Sequence, residues 1–413
     1  MAKRTFHFEP GGIGVQATDV RLTNQRVLLT HISLNPGSSA ADLARISRLA
    51  PQTVASILLD LDEAGLIRMG EVIRGKRGQP PKPYFINPEG AYAIGVELGW
   101  KHVEANLVGI GGQSLARYRR DYAFPDPHTI FAELAGVVDQ FSSRMPVEAK
   151  RLLVGVGLAA PNNIGRNVDL LNADPKVGEA WKAIDLVQKA QDTLGLPVTL
   201  YNDGNAACWA EIGSQPKPRP ANFTYVLVST FIAAGILSES KLWEGPTGNS
   251  ANLGSMLVTD RNGHQQFLHL LASIYALERR LTAAGVVVPP TSPQFWPWSQ
   301  WEPHVSEWIE DASRSIAKAL LNSAAVFEFH TAVLDGVMPA SVLDRLIEET
   351  RKHLLEMPVL TFDRPTLVKG HLGSAAPSMG AAYRVLFKRF FSREDADVRQ
   401  DWPLESITFS AGN

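Results

Sequence analysis

Two groups of residues in this chain have the type and spacing to do chemistry. The first is Gln52, Thr53 and Ser56, hydrogen-bonding side chains on the outward face of a short amphipathic stretch, with Arg48 in the turn just ahead of them. Such side chains at a helix N-terminus can reach base edges in a major groove of DNA. Five basic residues follow, Arg68, Arg74, Lys76, Arg77 and Lys82, opposed only by Glu71. Basic side chains contact phosphates, and Arg77-Gly78-Gln79-Pro80 has the shape of an arm that lies in a narrow minor groove. The second group is Asn202-Asp203, an amide and a carboxylate at the end of an apolar run. A carboxylate can accept a hydroxyl's hydrogen bond and then take its proton. Asn-Asp-Gly is equally ordinary turn chemistry.

The elements that must position the first group read clearly. Leu22, Val27, Leu28, Ile32 and Leu34 suit one face of a helix starting near Val20, with Thr23 or Asn24 as its N-cap, and Asn35-Pro36-Gly37 stops it. Ser39 caps a second helix carrying Leu43 and Ile46 inward. Arg48-Leu49-Ala50 is a tight turn, and Pro51 opens a third helix with Val54, Ile57, Leu58 and Leu61 inside. Gly65 ends that helix, and Leu66-Ile67 begins a strand. This order, with the basic Gly/Pro-punctuated segment after it, predicts a winged helix-turn-helix over 20–88, behind a flexible arm over 1–19.

Charge follows the same division. Residues 1–90 hold 11 Lys/Arg against 8 Asp/Glu, whereas the rest hold 29 against 34, so the basic end fits nucleic acid and the body does not. The only cysteine is Cys208. One thiol allows no internal disulfide and no multi-thiolate zinc site, and a cytoplasmic location is expected. The N-terminus has no signal-length apolar core, and the longest apolar runs fall far short of a membrane span, so no membrane partner is expected.

From Tyr92 the chain alternates apolar strands with helices. Tyr92–Trp100, His102–Val108 and Gln113–Tyr122 read as a β-meander, His128–Met145 and Ala183–Leu194 as helices, and Leu152–Leu158 and Pro197–Tyr201 as buried strands. Tyr225–Val228 and Ala234–Leu237 read as paired strands, and the chain from Phe267 is mostly helical. The run Phe295-Trp-Pro-Trp-Ser-Gln-Trp reads as an insertion between helices, suited to core burial or to an interface.

Four motifs carry a family likeness: Val156-Gly-Leu-Ala-Ala-Pro161, Tyr201-Asn-Asp-Gly-Asn-Ala-Ala207, Phe223-Thr-Tyr-Val-Leu-Val228 and Gly245-Pro-Thr-Gly-Asn-Ser-Ala-Asn-Leu-Gly-Ser-Met256. In this order, after a helix-turn-helix, they resemble the ROK family of repressors and sugar kinases, its transcription-factor branch in particular, from about Thr23 to Leu386. The resemblance implies a two-lobed actin-like α/β body: a first lobe over 91–200 completed by a helix near 375–390, a second lobe over 201–374, and a C-terminal extension over 391–413. It also implies a homodimer or homotetramer on a double-stranded DNA operator, and a small carbohydrate or sugar-derived effector. Asn202 and Asp203 match the family's sugar-holding pair, Asp203 standing where kinases keep their general base. Asn252, Ser255 and His269 stand where the family keeps an acid, a histidine and a glutamate. Asn162 is a further expected ligand contact, and Arg166, Asp169 and Asp174 lie on a neighbouring loop.

The departures from the kinases point away from catalysis. Their Gly-rich phosphate turn is here Ser229-Thr230-Phe231-Ile232-Ala233-Ala234-Gly235, and Trp100 sits in the first-strand turn Glu97-Leu98-Gly99-Trp100-Lys101. Side chains in these places occupy room that phosphates need. The family's zinc ligands align with Ser255, Asp260, Asn262 and Phe267, so no metal and no cofactor are expected. The expectation is a DNA-binding regulator, a repressor, with kinase activity lost. The alternatives are an ATP-dependent sugar kinase with an accessory DNA-binding domain and a regulator sensing a protein partner.

Overall fold

The computed structural model describes residues 17–71, 82–145, 147–162, 164–215 and 219–392. The described residues form two compact units, one drawn from 1–90 and 387–413 and one from 91–386.

In the N-terminal unit, helices α1 (Ala17–Leu34), α2 (Ala40–Ser47) and α3 (Pro51–Glu63) precede strands β1 (Ile67–Met69) and β2 (Tyr84–Ile86). The strands pair antiparallel, Ile67 opposite Ile86 and Met69 opposite Tyr84. Ser39 and Asp42 close a capping box on α2: the Ser39 Oγ accepts from the Asp42 N–H and the Asp42 carboxylate accepts from the Ser39 N–H. Arg48 takes the left-handed conformation that ends α2, and Pro51 opens α3. Leu28, Leu29, Ile32, Leu43, Val54, Ile57, Leu58 and Leu61 are buried. Three details differ from the sequence reading. The first helix starts at Ala17, so Thr23 is internal and its hydroxyl donates to the Asp19 carbonyl at 2.8 Å. Leu34 and Ile46 are exposed, because each falls at a helix end beyond the buried stripe. Phe391 and Ser392, expected in an extension, group with this unit: the Ser392 N–H donates to Thr30 Oγ1 at 3.0 Å.

The second unit begins with β3 (Tyr92–Leu98), β4 (His102–Gly109), β5 (Ser114–Asp121), α4 (Pro127–Arg144), α5 (Val147–Lys150), β6 (Leu153–Ala160), α6 (Ile164–Asn167), α7 (Pro175–Lys182), α8 (Leu186–Leu194) and β7 (Val198–Asn202). Its sheet runs β5-β4-β3-β6-β7, with β6 parallel to both β3 and β7. The helix expected over 183–194 is α8, which starts later because Asp185 caps it, and a further helix, α7, stands before it behind its own cap Asp174. The chain continues through α9 (Asp203–Ser214), β8 (Phe223–Val228), β9 (Ile232–Ser238), β10 (Lys241–Leu242), β11 (Leu257–Thr259), β12 (Gln265–Phe267), α10 (Leu268–Ala272), α11 (Ile274–Ala283), α12 (His304–Phe327), β13 (Thr331–Gly336), α13 (Ala340–Glu356), β14 (Thr366–Lys369) and α14 (Ala376–Phe390). The second sheet runs β10-β9-β8-β13-β14.

Each sheet anchors its own apolar core. Between them, α14 packs on the first sheet and on α9 at backbone contact. A Cβ on Gly157 of β6 would lie 2.2 Å from the Ala381 carbonyl oxygen, and one on Gly380 would lie 1.8 Å from that of Ala206. Only glycine allows these approaches, so α14 is seated without slack. The tryptophan-rich insertion is core: Trp296, Trp298, Trp301 and Trp308 are buried against one another, and Phe295 is exposed at its tip.

Candidate functional site

The ends of several elements in the second unit surround a cavity of about 400 Å³. Strand β6 ends at Ala160 and delivers Asn162, and β7 ends at Asn202, which caps α9. The Asn202 Oδ1 accepts from the Asn205 N–H at 3.0 Å, as an N-cap does. The Asn202 Nδ2 donates to Asp203 Oδ1 at 3.0 Å, and the Gly204 N–H donates to the same oxygen at 2.8 Å. Both donors end on Oδ1. Asn252 and Ser255 come from the single-turn helix before β11, and His269 from α10 after β12. All six ligand residues expected from sequence, Asn162, Asn202, Asp203, Asn252, Ser255 and His269, line this one cavity.

Electrostatics here are set by burial. The Asp203 carboxyl is pushed up to about 6, first by loss of solvent and second by the nearby charge of Glu97. Glu97 is itself buried, its Oε2 lying 3.1 Å from His102 Nε2. His269 is held down to about 4 by burial alone, so its ring is neutral at neutral pH. The Ile232 N–H donates to its Nδ1 at 3.1 Å, which places the ring proton on Nε2 and makes that nitrogen a donor. The Asn162 Nδ2 is buried and has no hydrogen-bond partner among the described residues. The wall therefore offers a carboxylate acceptor, an imidazole donor and an unsatisfied amide donor. Such a set suits a ligand with several hydroxyl groups.

Residues outside the expected set also line the cavity, among them Trp100, Phe231, Asn249, Ser250 and Phe267. Phe231 lies at the centre of an aromatic group, with ring centroids 5.1 Å from Trp100, 5.6 Å from His269 and 5.2 Å from Tyr275. The sequence marks Trp100 and Phe231 as bulk in the two turns where kinases keep small residues, but not as cavity walls. The neighbouring-loop acid Asp174 is not among the lining residues; it caps α7 by accepting from the Lys176 N–H at 2.8 Å. The Arg166 and Asp169 side chains and Asn163 lie outside the described residues. No group of three or more His, Cys, Asp or Glu that could hold a metal ion occurs among the described residues.

The residues expected to meet DNA divide in three. Gln52 and Thr53 are exposed in the first turn of α3, and Arg48 is exposed in the turn before it. Ser56 is exposed but engaged, since Arg21 Nη2 donates to its Oγ at 3.2 Å while also pairing with Asp60 at 2.5 Å. Arg74, Lys76, Arg77 and Gln79 lie outside the described residues.

The chain is similar to several known proteins. "Uncharacterized protein y4fQ" of Sinorhizobium fredii is 25% identical over 374 residues, 89% of this chain and 92% of that one. The "Xylose repressor" of Bacillus spizizenii is 27% identical over 248 residues, 60% of this chain and 63% of that protein. A solved "ROK family transcriptional regulator, homolog of E.coli MLC protein" superposes with a TM-score of 0.65 at 20% identity, over 92% of this chain and 98% of that one, a likeness of fold. Among the described residues no helix is long and apolar enough to cross a membrane. The ROK family profile matches residues 93–388, most of the chain, so this protein belongs to the ROK family.

Proposed function

We propose that this chain is a DNA-binding transcriptional repressor whose body holds a small carbohydrate-like effector and no longer phosphorylates it. The observation that carries this reading is the N-terminal unit: two short helices joined by a tight turn, the second presenting Gln52 and Thr53 outward, followed by a two-stranded antiparallel sheet. That is the arrangement of a winged helix-turn-helix, with α3 as the reading helix. The likeness to a protein named as a xylose repressor supports it. The cavity supports the effector half, with Asn162, Asn202, Asp203, Asn252, Ser255 and His269 as hydroxyl contacts. Trp100 and Phe231 support the loss of kinase chemistry, because they fill space in the cavity wall that also holds the carboxylate. On this reading the protein works as a dimer or tetramer on a two-fold operator, and the effector acts through unequal affinity for two states of the body.

The test is a mobility shift at stated salt with promoter fragments from the protein's own locus, with and without a panel of pentoses and hexoses. A sequence-selective shift that a sugar relieves is expected; only non-specific binding overturns the reading. One observation favours a kinase instead: Asp203 has a proton affinity suited to a general base near neutral pH. Phosphate transfer from ATP to a sugar, abolished by Asp203→Ala, would establish that alternative.

A further inference from the structure

Helix α14 has its two ends in different units: Ala376–Leu386 belong to the body, and Phe387–Phe390 belong to the N-terminal unit. In the N-terminal unit the last turn is tied to α1. Arg26 Nε donates to the Arg389 carbonyl at 3.2 Å, and Thr30 exchanges hydrogen bonds with the Ser392 backbone, donating to its carbonyl and accepting from its N–H, both at 3.0 Å.

In the body, one side chain of the same helix touches two residues that stand next to cavity-lining stretches. The buried Arg384 guanidinium forks onto Glu244, both bonds at 2.7 Å, and lies over the Tyr201 ring at 4.2 Å. Tyr201 directly precedes Asn202 and Asp203. Glu244 starts the loop that ends in the cavity-lining stretch 249–252, and its carbonyl accepts from the Ser250 N–H at 3.0 Å. The Arg384 side of this pair is buried and the Glu244 side is about a third exposed, and a two-pronged guanidinium–carboxylate pair is directional. Because Gly157 and Gly380 seat α14 at backbone contact, a shift of that loop cannot be absorbed by sliding side chains.

We propose that the Glu244–Arg384 bridge couples the cavity to the last turn of α14, which makes Arg384 a positioning residue for Phe387–Ser392. A ligand that moves residues 249–252 or Asn202-Asp203 then pulls on the helix that ends on α1. The inference rests on reading the cavity as the effector site, and it is tested without DNA or sugar.

The experiment is hydrogen–deuterium exchange on the full chain, comparing the parent with Glu244→Gln, which keeps the shape and removes the charge, and Glu244→Asp, which restores the charge. The expected result is several-fold faster exchange in Glu244→Gln, both in residues 244–252 and in residues 387–392 with the last turns of α1, recovered in part by Glu244→Asp. Faster exchange confined to residues 244–252, or no change at all, overturns the proposal. A failure to shift operator DNA would overturn the proposed function and leave this exchange pattern as it is.

Discussion

Trp100 and Phe231 meet edge to face, their ring centroids 5.1 Å apart and their planes at 87°. The first follows β3 and the second joins β8 to β9, so the pair links the turns of two different sheets. Both rings are nearly buried, and this geometry adds about 0.5–1.5 kcal/mol beyond the area hidden. Lys101 and Glu278 reinforce the same junction with an ion pair at 2.6 Å. Phe231→Ala is expected to lower stability by about 3–5 kcal/mol in denaturant melts, because it leaves a void beneath three other aromatic groups. On the proposed reading neither the parent nor this variant releases phosphate from ATP in a coupled assay.

The pH dependence of Asp203 follows from its raised affinity for a proton. A carboxyl at about 6 in the fold and near 3.8 when unfolded contributes stability that is fully present below the lower value and lost as pH rises through the higher one. Asp203→Asn removes that loss. The variant is expected to be more stable than the parent at pH 7.5 by roughly 1–2 kcal/mol, with the gain vanishing by pH ~4. Thermal melts across this range check it, and sugar binding is expected to fall in the same variant.

His269 behaves with the opposite sign. Its ring is held to about 4 in the fold against 6.5 when unfolded, so its contribution is present above the unfolded value and lost as pH falls through the folded one. Gln can still accept the Ile232 N–H. His269→Gln is therefore expected to gain on the parent by roughly 1–2 kcal/mol at pH ~5 and to match it above neutrality. Paired chemical denaturation at the two pH values decides the point.

On α3, two exposed residues differ in whether a neighbour already engages them. Gln52→Ala is expected to weaken selective operator binding by about 1–3 kcal/mol while leaving non-specific binding intact. Ser56→Ala is expected to cost less, because its hydroxyl already serves Arg21. Anisotropy titrations against operator and scrambled DNA at one salt concentration measure both.

The capping box offers a stability test of the N-terminal unit alone. Ser39→Ala removes the acceptor for the Asp42 N–H and is expected to cost about 1 kcal/mol. Exchange at the amides of α2 should rise accordingly, with the body unchanged.

Much of this was legible in the residues themselves. Ser39, Pro51 and the apolar spacing of Val54, Ile57, Leu58 and Leu61 specify two short helices by local hydrogen bonding and periodicity. That Asn202 caps α9 was not read from the sequence, where Asn-Asp-Gly stood as a ligand pair or a turn. The ends of elements were harder: α1 begins before Val20, and the helix expected from Ala183 begins after Asp185, with α7 ahead of it, because Asp174 and Asp185 each cap a separate start. The tryptophan-rich run suited either core or interface, since composition carries no information about which neighbours cover it; the indoles of Trp296, Trp298, Trp301 and Trp308 cover each other.

What the sequence determined by itself was therefore local: which stretches form helices, where they are capped, and which polar residues stand at strand ends. That Asn162, Asp203, Asn252 and His269 belong to one site was implied only by the family resemblance; the tertiary structure is what brings these residues, far apart along the chain, to one cavity. It decided Asp203's affinity for its proton, because that depends on lost solvent and on Glu97, a residue of strand β3. It also decided that Arg384 grips Glu244 and Tyr201 at once. Each of these depends on how chain segments distant in sequence pack against one another, and no periodicity within a segment encodes that.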